Sequence, residues 1–250
     1  VNRAVFFLAA VVASAADFPW YDIRRAPAPP VIDGKLDEPA WRAAKRIDKF
    51  HFNWWTKGEK EKTEARLLWD NENLYVGFYC HDKYISATVT ERHGPVSRDD
   101  CVEVFISPNP GPPYRADAAA AAEPKKRTNY YGFELNVIGT MLNFIRADWW
   151  TGGRNWEPDG VRYRTSHHGL PVKEDSAEDN HWLLEIAIPF RNFARDAAHT
   201  PPVDGDVWRL NLNRAGGKTN PQYSTWSPVS TPKPNFHMPE SFGYVRFRGK

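Results

Sequence analysis

Leu67-Leu68-Trp69-Asp70-Asn71-Glu72-Asn73-Leu74-Tyr75-Val76-Gly77-Phe78 joins two apolar runs through four turn-forming residues. Asp and Asn tolerate left-handed backbone and hydrogen-bond their own turns, so Asp70 to Asn73 reads as the turn of a β-hairpin. Its arms are Ala65 to Trp69 and Leu74 to His81. Similar strand-like runs, bounded by Asp, Asn, Gly or Pro, recur along the chain. They are Cys101 to Ser107, Tyr130 to Val137, Met141 to Asp148, Val161 to Ser166, Trp182 to Pro189, Val207 to Arg214 and Phe242 to Phe247. Helical signal is confined to Glu38 to Ala44, where Pro39 suits a first turn, and to Phe190 to Ala194. The expected fold class is all-β: a β-sandwich of two mainly antiparallel sheets with short helical turns.

With 250 residues, 41% of them hydrophobic, the chain can bury one large core. A formal net charge of +2, with no basic run longer than Lys125-Lys126-Arg127, gives no field suited to phosphates, so no nucleic-acid partner is expected. At the start, Arg3, the apolar stretch Ala4 to Val12 and Ala13-Ser14-Ala15 follow the order of a signal peptide. Residues 1–15 are therefore expected to be cleaved near Ala15, leaving a periplasmic or secreted bacterial protein with no stable membrane span in the mature chain. Residues 16–29, ending in a Pro-rich run, are expected as an extended lead-in to a domain over 30–250. Pro108 to Thr128, with prolines, an alanine run and a basic cluster, is expected as an exposed excursion. Cys80 shares a strand face with Val76 and Phe78, and Cys101 shares one with Glu103. A disulfide and two buried thiols both remain open.

Pro30-Val31-Ile32-Asp33-Gly34-Lys35-Leu36-Asp37-Glu38-Pro39-Ala40-Trp41 resembles the opening signature of the family 9 carbohydrate-binding modules and their relatives. The hairpin above resembles the family's paired strands, and Asp99-Asp100-Cys101-Val102-Glu103-Val104-Phe105-Ile106 its acidic strand. Phe133-Glu134-Leu135-Asn136, Trp182 to Pro189, Ser224-Thr225-Trp226-Ser227 and Phe242-Gly243 continue the match in order. The resemblance covers roughly residues 30 to 248 and implies a sandwich that binds sugar, at chain ends, between two aromatic rings. Local alignment puts Ser97 at the first ring position and Phe236 at the second, so one wall departs from the family's pattern.

Sugar recognition asks for flat rings against the C–H face of a pyranose and fixed polar groups for its hydroxyls. Glu134 and Asn136 lie two apart on one strand and share a face. The resemblance sets Glu103 on a nearby strand. The chain holds eleven tryptophans, and the adjacent pairs Trp54-Trp55 and Trp149-Trp150 cannot both point into one core if extended. The candidate carbohydrate-binding residues are Glu103, Glu134, Asn136, Trp226, Phe236 and Trp150, with no catalytic residue among them.

Competing chemistry is open at several points. Asp99-Asp100 and Asp37-Glu38 raise glycoside hydrolysis, which needs two carboxyl groups flanking a bond at a set distance. The same acids could cap turns or hold calcium, so no cofactor is expected to be required and calcium stands as a structural option. Related sandwiches of the DOMON and dehydrogenase-subunit type bind haem b, for which Met141, Met238 and His237 are the available ligands. His167-His168, pointing to opposite faces of a strand, chelates poorly. The leading expectation is non-catalytic binding of an oligo- or polysaccharide that supports carbohydrate catabolism, with a glycoside hydrolase as a partner. The alternatives are the haem-binding electron-transfer domain and a polysaccharide-acting glycosidase.

Overall fold

The computed structural model describes residues 18–108, 130–146, 154–168, 181–217 and 220–249. The expected signal segment, the excursion after Pro108 and Trp149-Trp150 lie outside the described residues.

Among the described residues twelve strands form one curled sheet: β1 (Trp20–Arg25), β2 (Thr63–Trp69), β3 (Asn73–His81), β4 (Cys101–Ser107), β5 (Tyr130–Asn136), β6 (Met141–Arg146), β7 (Arg154–Asn155), β8 (Arg162–His168), β9 (His181–Pro189), β10 (Val207–Ala215), β11 (Tyr223–Thr225) and β12 (Gly243–Arg248). The order across the sheet is β7-β6-β5-β4-β10-β12-β1-β2-β3-β9-β8, with β11 paired to β10. Every pairing is antiparallel except those of β1, which runs parallel to both β12 and β2. The lead-in expected over 16–29 therefore contains a strand in the middle of the sheet. Its charged alternate positions disguise it, but Tyr21 and Ile23 bury into the core. The β1–β2 contact is only two residue pairs long, so β1 stitches two half-sheets into a sandwich.

Between the halves lies the main core. Val102, Val104 and Ile106 of β4 and Phe133 and Leu135 of β5 meet Leu67, Val76, Phe78, Leu184 and Ile186 from the opposite half. The period of two that selects these residues sends Cys101, Glu103 and Phe105 to the outer face of the first half. The hairpin turn forms as the sequence predicts: Asp70 Oδ1 accepts the amides of Glu72 at 2.7 Å and Asn73 at 2.8 Å.

The outer face of the second half is roofed by the segment that opens the domain. Its helix α1 (Pro39–Ala43) lays Trp41 against Leu68, Tyr75 and Ala187. Glu185 of β9 holds this roof, accepting from Trp41 Nε1 at 2.7 Å and from the amides of Gly34 at 2.6 Å and Asp33 at 2.9 Å. Gly77 makes the approach feasible, because a Cβ there would stand 2.3 Å from Leu36 Cδ2. At one rim of the core Arg214 is fully buried. Its guanidinium donates to Asp82 Oδ2 at 2.9 Å, Glu61 Oε2 at 3.3 Å and the His81 carbonyl at 2.7 Å. Cys80 and Cys101 are both buried free thiols, packed in different clusters on opposite faces of the sheet, and burial pushes the Cys80 thiol up to about 12.

Candidate functional site

The outer face of β4, β5, β6, β10 and β11 carries a layer of polar side chains between aromatic ones. Register puts Glu103 opposite Glu134 on one side and Asn213 on the other, and Asn213 opposite Thr225. The Thr225 hydroxyl donates to Asn213 Oδ1 at 2.8 Å, which turns the amide so that Nδ2 donates to Glu103 Oε2 at 3.3 Å. Glu134 has no hydrogen-bond partner among the described residues, although only 4% of it is exposed. Arg146, next in this layer on β6, packs its guanidinium 4.8 Å above the Phe144 ring and leaves a buried Nε without a partner among the described residues. A buried polar group that lacks a partner costs stability, so a cluster left incomplete in this way is suited to a ligand that completes it.

Burial, and then the neighbouring charge of Glu134, hold the Glu103 carboxyl well above the usual carboxylate range. Burial pushes Glu134 up to about 7, against the opposing pull of Arg146. Near neutral pH the pair holds both a proton and acceptor oxygens, so it can donate to and accept from hydroxyl groups.

Around these acids the apolar wall is made by Trp54, Tyr223 and Leu142, all partly exposed. Trp54 is fixed by its Nε1 donating to the Thr231 carbonyl at 2.7 Å and stands edge-on to Phe236 and Tyr223. His237 stacks on Phe105 with ring centres 5.1 Å apart, and its Nδ1 meets the Tyr130 hydroxyl at 3.1 Å. Burial, helped by the Arg146 charge, lowers His237 to about 3, so its imidazole is neutral. Gly132 leaves room for this layer, since a Cβ there would fall 2.1 Å from the Phe144 ring.

The six residues expected to bind sugar are placed differently. Glu103 and Glu134 come together as described. Asn136 shares their face, but its amide donates to the Val89 carbonyl at 2.8 Å and Asp99 Oδ2 at 2.9 Å, and its oxygen accepts from the Thr140 amide. Its hydrogen-bonding capacity is taken up by the segment before β4 and by the β5–β6 turn. Phe236 is 7% exposed beneath Trp54, and Trp226 is 5% exposed within the main core. Trp150 lies outside the described residues. Ser97 sits exposed on a 3-10 turn, Val96–Arg98. The sequence reasoning passed over Asn213, Thr225, Arg146 and Tyr223. Asn211-Leu212-Asn213 alternates as Glu134-Leu135-Asn136 does, and that was the available signal.

The acid pairs serve the fold or the surface. Asp99 accepts from the amides of Thr88 and Val89, and Asp100 from those of Ser86 and Gly217. Where Glu61, Asp82 and Asp100 converge, the positive charge comes from Arg214. No group of three His, Cys, Asp or Glu among the described residues is arranged to hold a metal. The residues weighed as haem ligands do not share one site. Met141 is in the main core, whereas His237 lies on the outer face against Phe105, and the Met238 sulfur meets Asn235. Among the described residues no helix is long and apolar enough to cross a membrane.

A family model, "Carbohydrate-binding family 9", matches residues 38–247. None of the curated proteins compared matches the sequence. Among solved structures, a candidate carbohydrate-binding protein from Bacteroides uniformis superposes with a TM-score of 0.72 at 21% identity, covering 92% of this chain and all of that one. A family 9 module from Caldicellulosiruptor kristjanssonii in complex with cellotriose superposes with a TM-score of 0.61 at 14% identity, covering 93% of this chain and 95% of that one. Its complex with glucose gives 0.60 at 14% identity, covering 92% and 96%. The match over residues 38–247, on a sandwich whose opening segment is anchored by Glu185, means that this chain belongs to carbohydrate-binding family 9.

Proposed function

We propose that the protein is a non-catalytic glycan-binding domain that takes a neutral sugar on the outer face of β4, β5, β6 and β10. Glu103, Glu134 and Asn213 meet the hydroxyls, Arg146 completes the polar set, and Tyr223 and Trp54 cover a pyranose face. The observation that carries this is the Glu103–Glu134 pair, buried yet short of hydrogen bonds among the described residues, on a face rimmed by partly exposed rings. The glucose and cellotriose complexes of the Caldicellulosiruptor module make gluco-oligosaccharides the first ligands to try. Hydrolysis is disfavoured, because the two carboxyls stand side by side on adjacent strands instead of flanking a cleft, and burial pushes both upward. The order of charged, apolar and small residues at the start supports export, with a role in polysaccharide capture beside a glycoside hydrolase.

Calorimetry with glucose and cellotriose tests the binding. Saturable heat is expected, with Tyr223→Ala and Glu134→Gln each weakening it about tenfold, the scale of one well-placed contact. Folded protein that gives no heat with a panel of neutral oligosaccharides would sink the proposal. Intact mass of the protein made in a bacterial host tests export, with a cut after Ala15 expected.

A further inference from the structure

A second exposed strip runs along the parallel pair β1 and β12. Three outward rows follow each other: Trp20 beside Tyr244, Asp22 beside Arg246, and Arg24 beside Arg248. At about 3.3 Å per residue the rows span about 13 Å, the shape of a track for a chain. Trp20 is 52% exposed and stacks on Tyr244 with ring centres 4.6 Å apart and planes 14° from parallel, so its indole is held in place while half of it stays open. Asp22 accepts from Arg246 at 2.8 and 3.2 Å and pairs with Arg248 at 3.4 Å, which fixes two guanidinium groups, that of Arg246 5.9 Å from the indole ring centre.

The groove along these rows is lined by Trp20, Asp22, Arg24, Arg246 and Arg248, with Lys45, Asp204 and Gly249 at its sides. Four of its side chains are cationic and two anionic. Asp22 is consumed by two of the cations, and Asp204 accepts the Gly249 amide at 2.7 Å. The side chains of Arg24 and Lys45 make no hydrogen bond or ion pair among the described residues, and both are exposed. The positive excess is therefore the part left open. An aromatic face suits the C–H face of a sugar, and free guanidinium and ammonium groups suit carboxylate or sulfate.

We propose that this strip is a second glycan-binding site, distinct from the Glu103 face and selective for polysaccharide chains that carry carboxylate or sulfate groups. Trp20 stacks on a sugar ring while Arg24 and Lys45 neutralise the acidic substituents, and Arg246 and Arg248, already oriented by Asp22, contribute their remaining donors. The Asp22 and Asp204 carboxylates in the groove favour a hydroxyl-bearing ligand over a bare polyphosphate. Trp20 and Glu103 lie three strands apart, about 14 Å across the sheet at about 4.8 Å per strand, and Arg209 stands between the two surfaces. Each site can therefore be occupied without the other.

Affinity electrophoresis of the full chain through gels containing polygalacturonate or chondroitin sulfate tests this, the two polymers separating carboxylate from sulfate recognition. Retardation by at least one is expected, weakening steeply with salt. Trp20→Ala and the double variant Arg24→Gln/Lys45→Gln should each reduce it at least tenfold. Both variants change exposed side chains, and calorimetry with cellotriose should show the neutral-sugar site unchanged in them. The proposal is overturned if neither polymer retards the wild type, if both variants migrate as it does, or if poly-L-glutamate or single-stranded DNA retards it equally.

Discussion

Glu103 and Glu134 face each other across the β4–β5 pair, buried on the outer side of the sheet, and Asn213 supplies the hydrogen bond that Glu103 receives. An acid held above its unfolded value is bound to its proton more tightly in the folded protein. The stability it confers is present below the unfolded value, about 4.3 for Glu, and is lost as pH rises through about 7 for Glu134. Glu134→Gln removes that loss. The variant is expected to be more stable than wild type by about 1 to 3 kcal/mol at pH 8 and little changed at pH 4, measured by urea denaturation. A wild-type advantage at pH 8 would show that the Glu134 carboxyl is not raised above its unfolded value.

His237 has the opposite sign. Its folded value, lowered to about 3, keeps the ring neutral, so its contribution is present above the unfolded value of about 6.5 and fades as pH falls toward 3. Melting temperature should drop between pH 6 and 4 in the wild type and drop less in His237→Phe, which keeps an aromatic ring on Phe105. Parallel curves for the two proteins would assign the acid limb to other groups.

Arg214 is the counter-charge to Glu61 and Asp82 in a site closed to water. Removing one partner of a buried ion pair leaves the other uncompensated. Arg214→Met is expected to lower stability by about 3 to 5 kcal/mol in chemical denaturation, a loss that Asp82→Asn in the same chain partly reverses. A cost below about 1 kcal/mol would mean that Glu61 and Asp82 are neutralised without the arginine.

Glu185 ties the roof segment to β9 through three donors. Glu185→Ala leaves the Trp41 indole and two backbone amides without that acceptor, at an expected cost of about 2 to 4 kcal/mol. Hydrogen exchange should show residues 30–44 losing protection ahead of β4 and β5. Uniform loss across the sheet would show instead that the roof and sheet open together.

The strands were legible because each half-sheet buries one face in a shared core, which forces the alternation seen in Val102-Glu103-Val104 and Leu210-Asn211-Leu212. The Asp70 to Asn73 turn was legible because its side chains bond locally. β1 was not, since three of its six residues face outward, three are charged, and its partners lie more than forty residues away. The sequence could place Glu134 and Asn136 on one face, but could not say that Asn136 bonds Val89, Asp99 and Thr140 while Glu134 has no hydrogen-bond partner among the described residues.

Most of the strands, the all-β class and the alternation that sends Glu103, Glu134 and Asn213 outward were determined by the sequence, because period-two burial and turn chemistry act over a few residues. Only the tertiary structure decided which outward positions become a site. Setting Glu103 between Glu134 and Asn213, sinking Phe236 beneath Trp54, and stacking the open Trp20 on Tyr244 all depend on which strands pair across the sheet, and pairing is a long-range outcome that no local pattern contains.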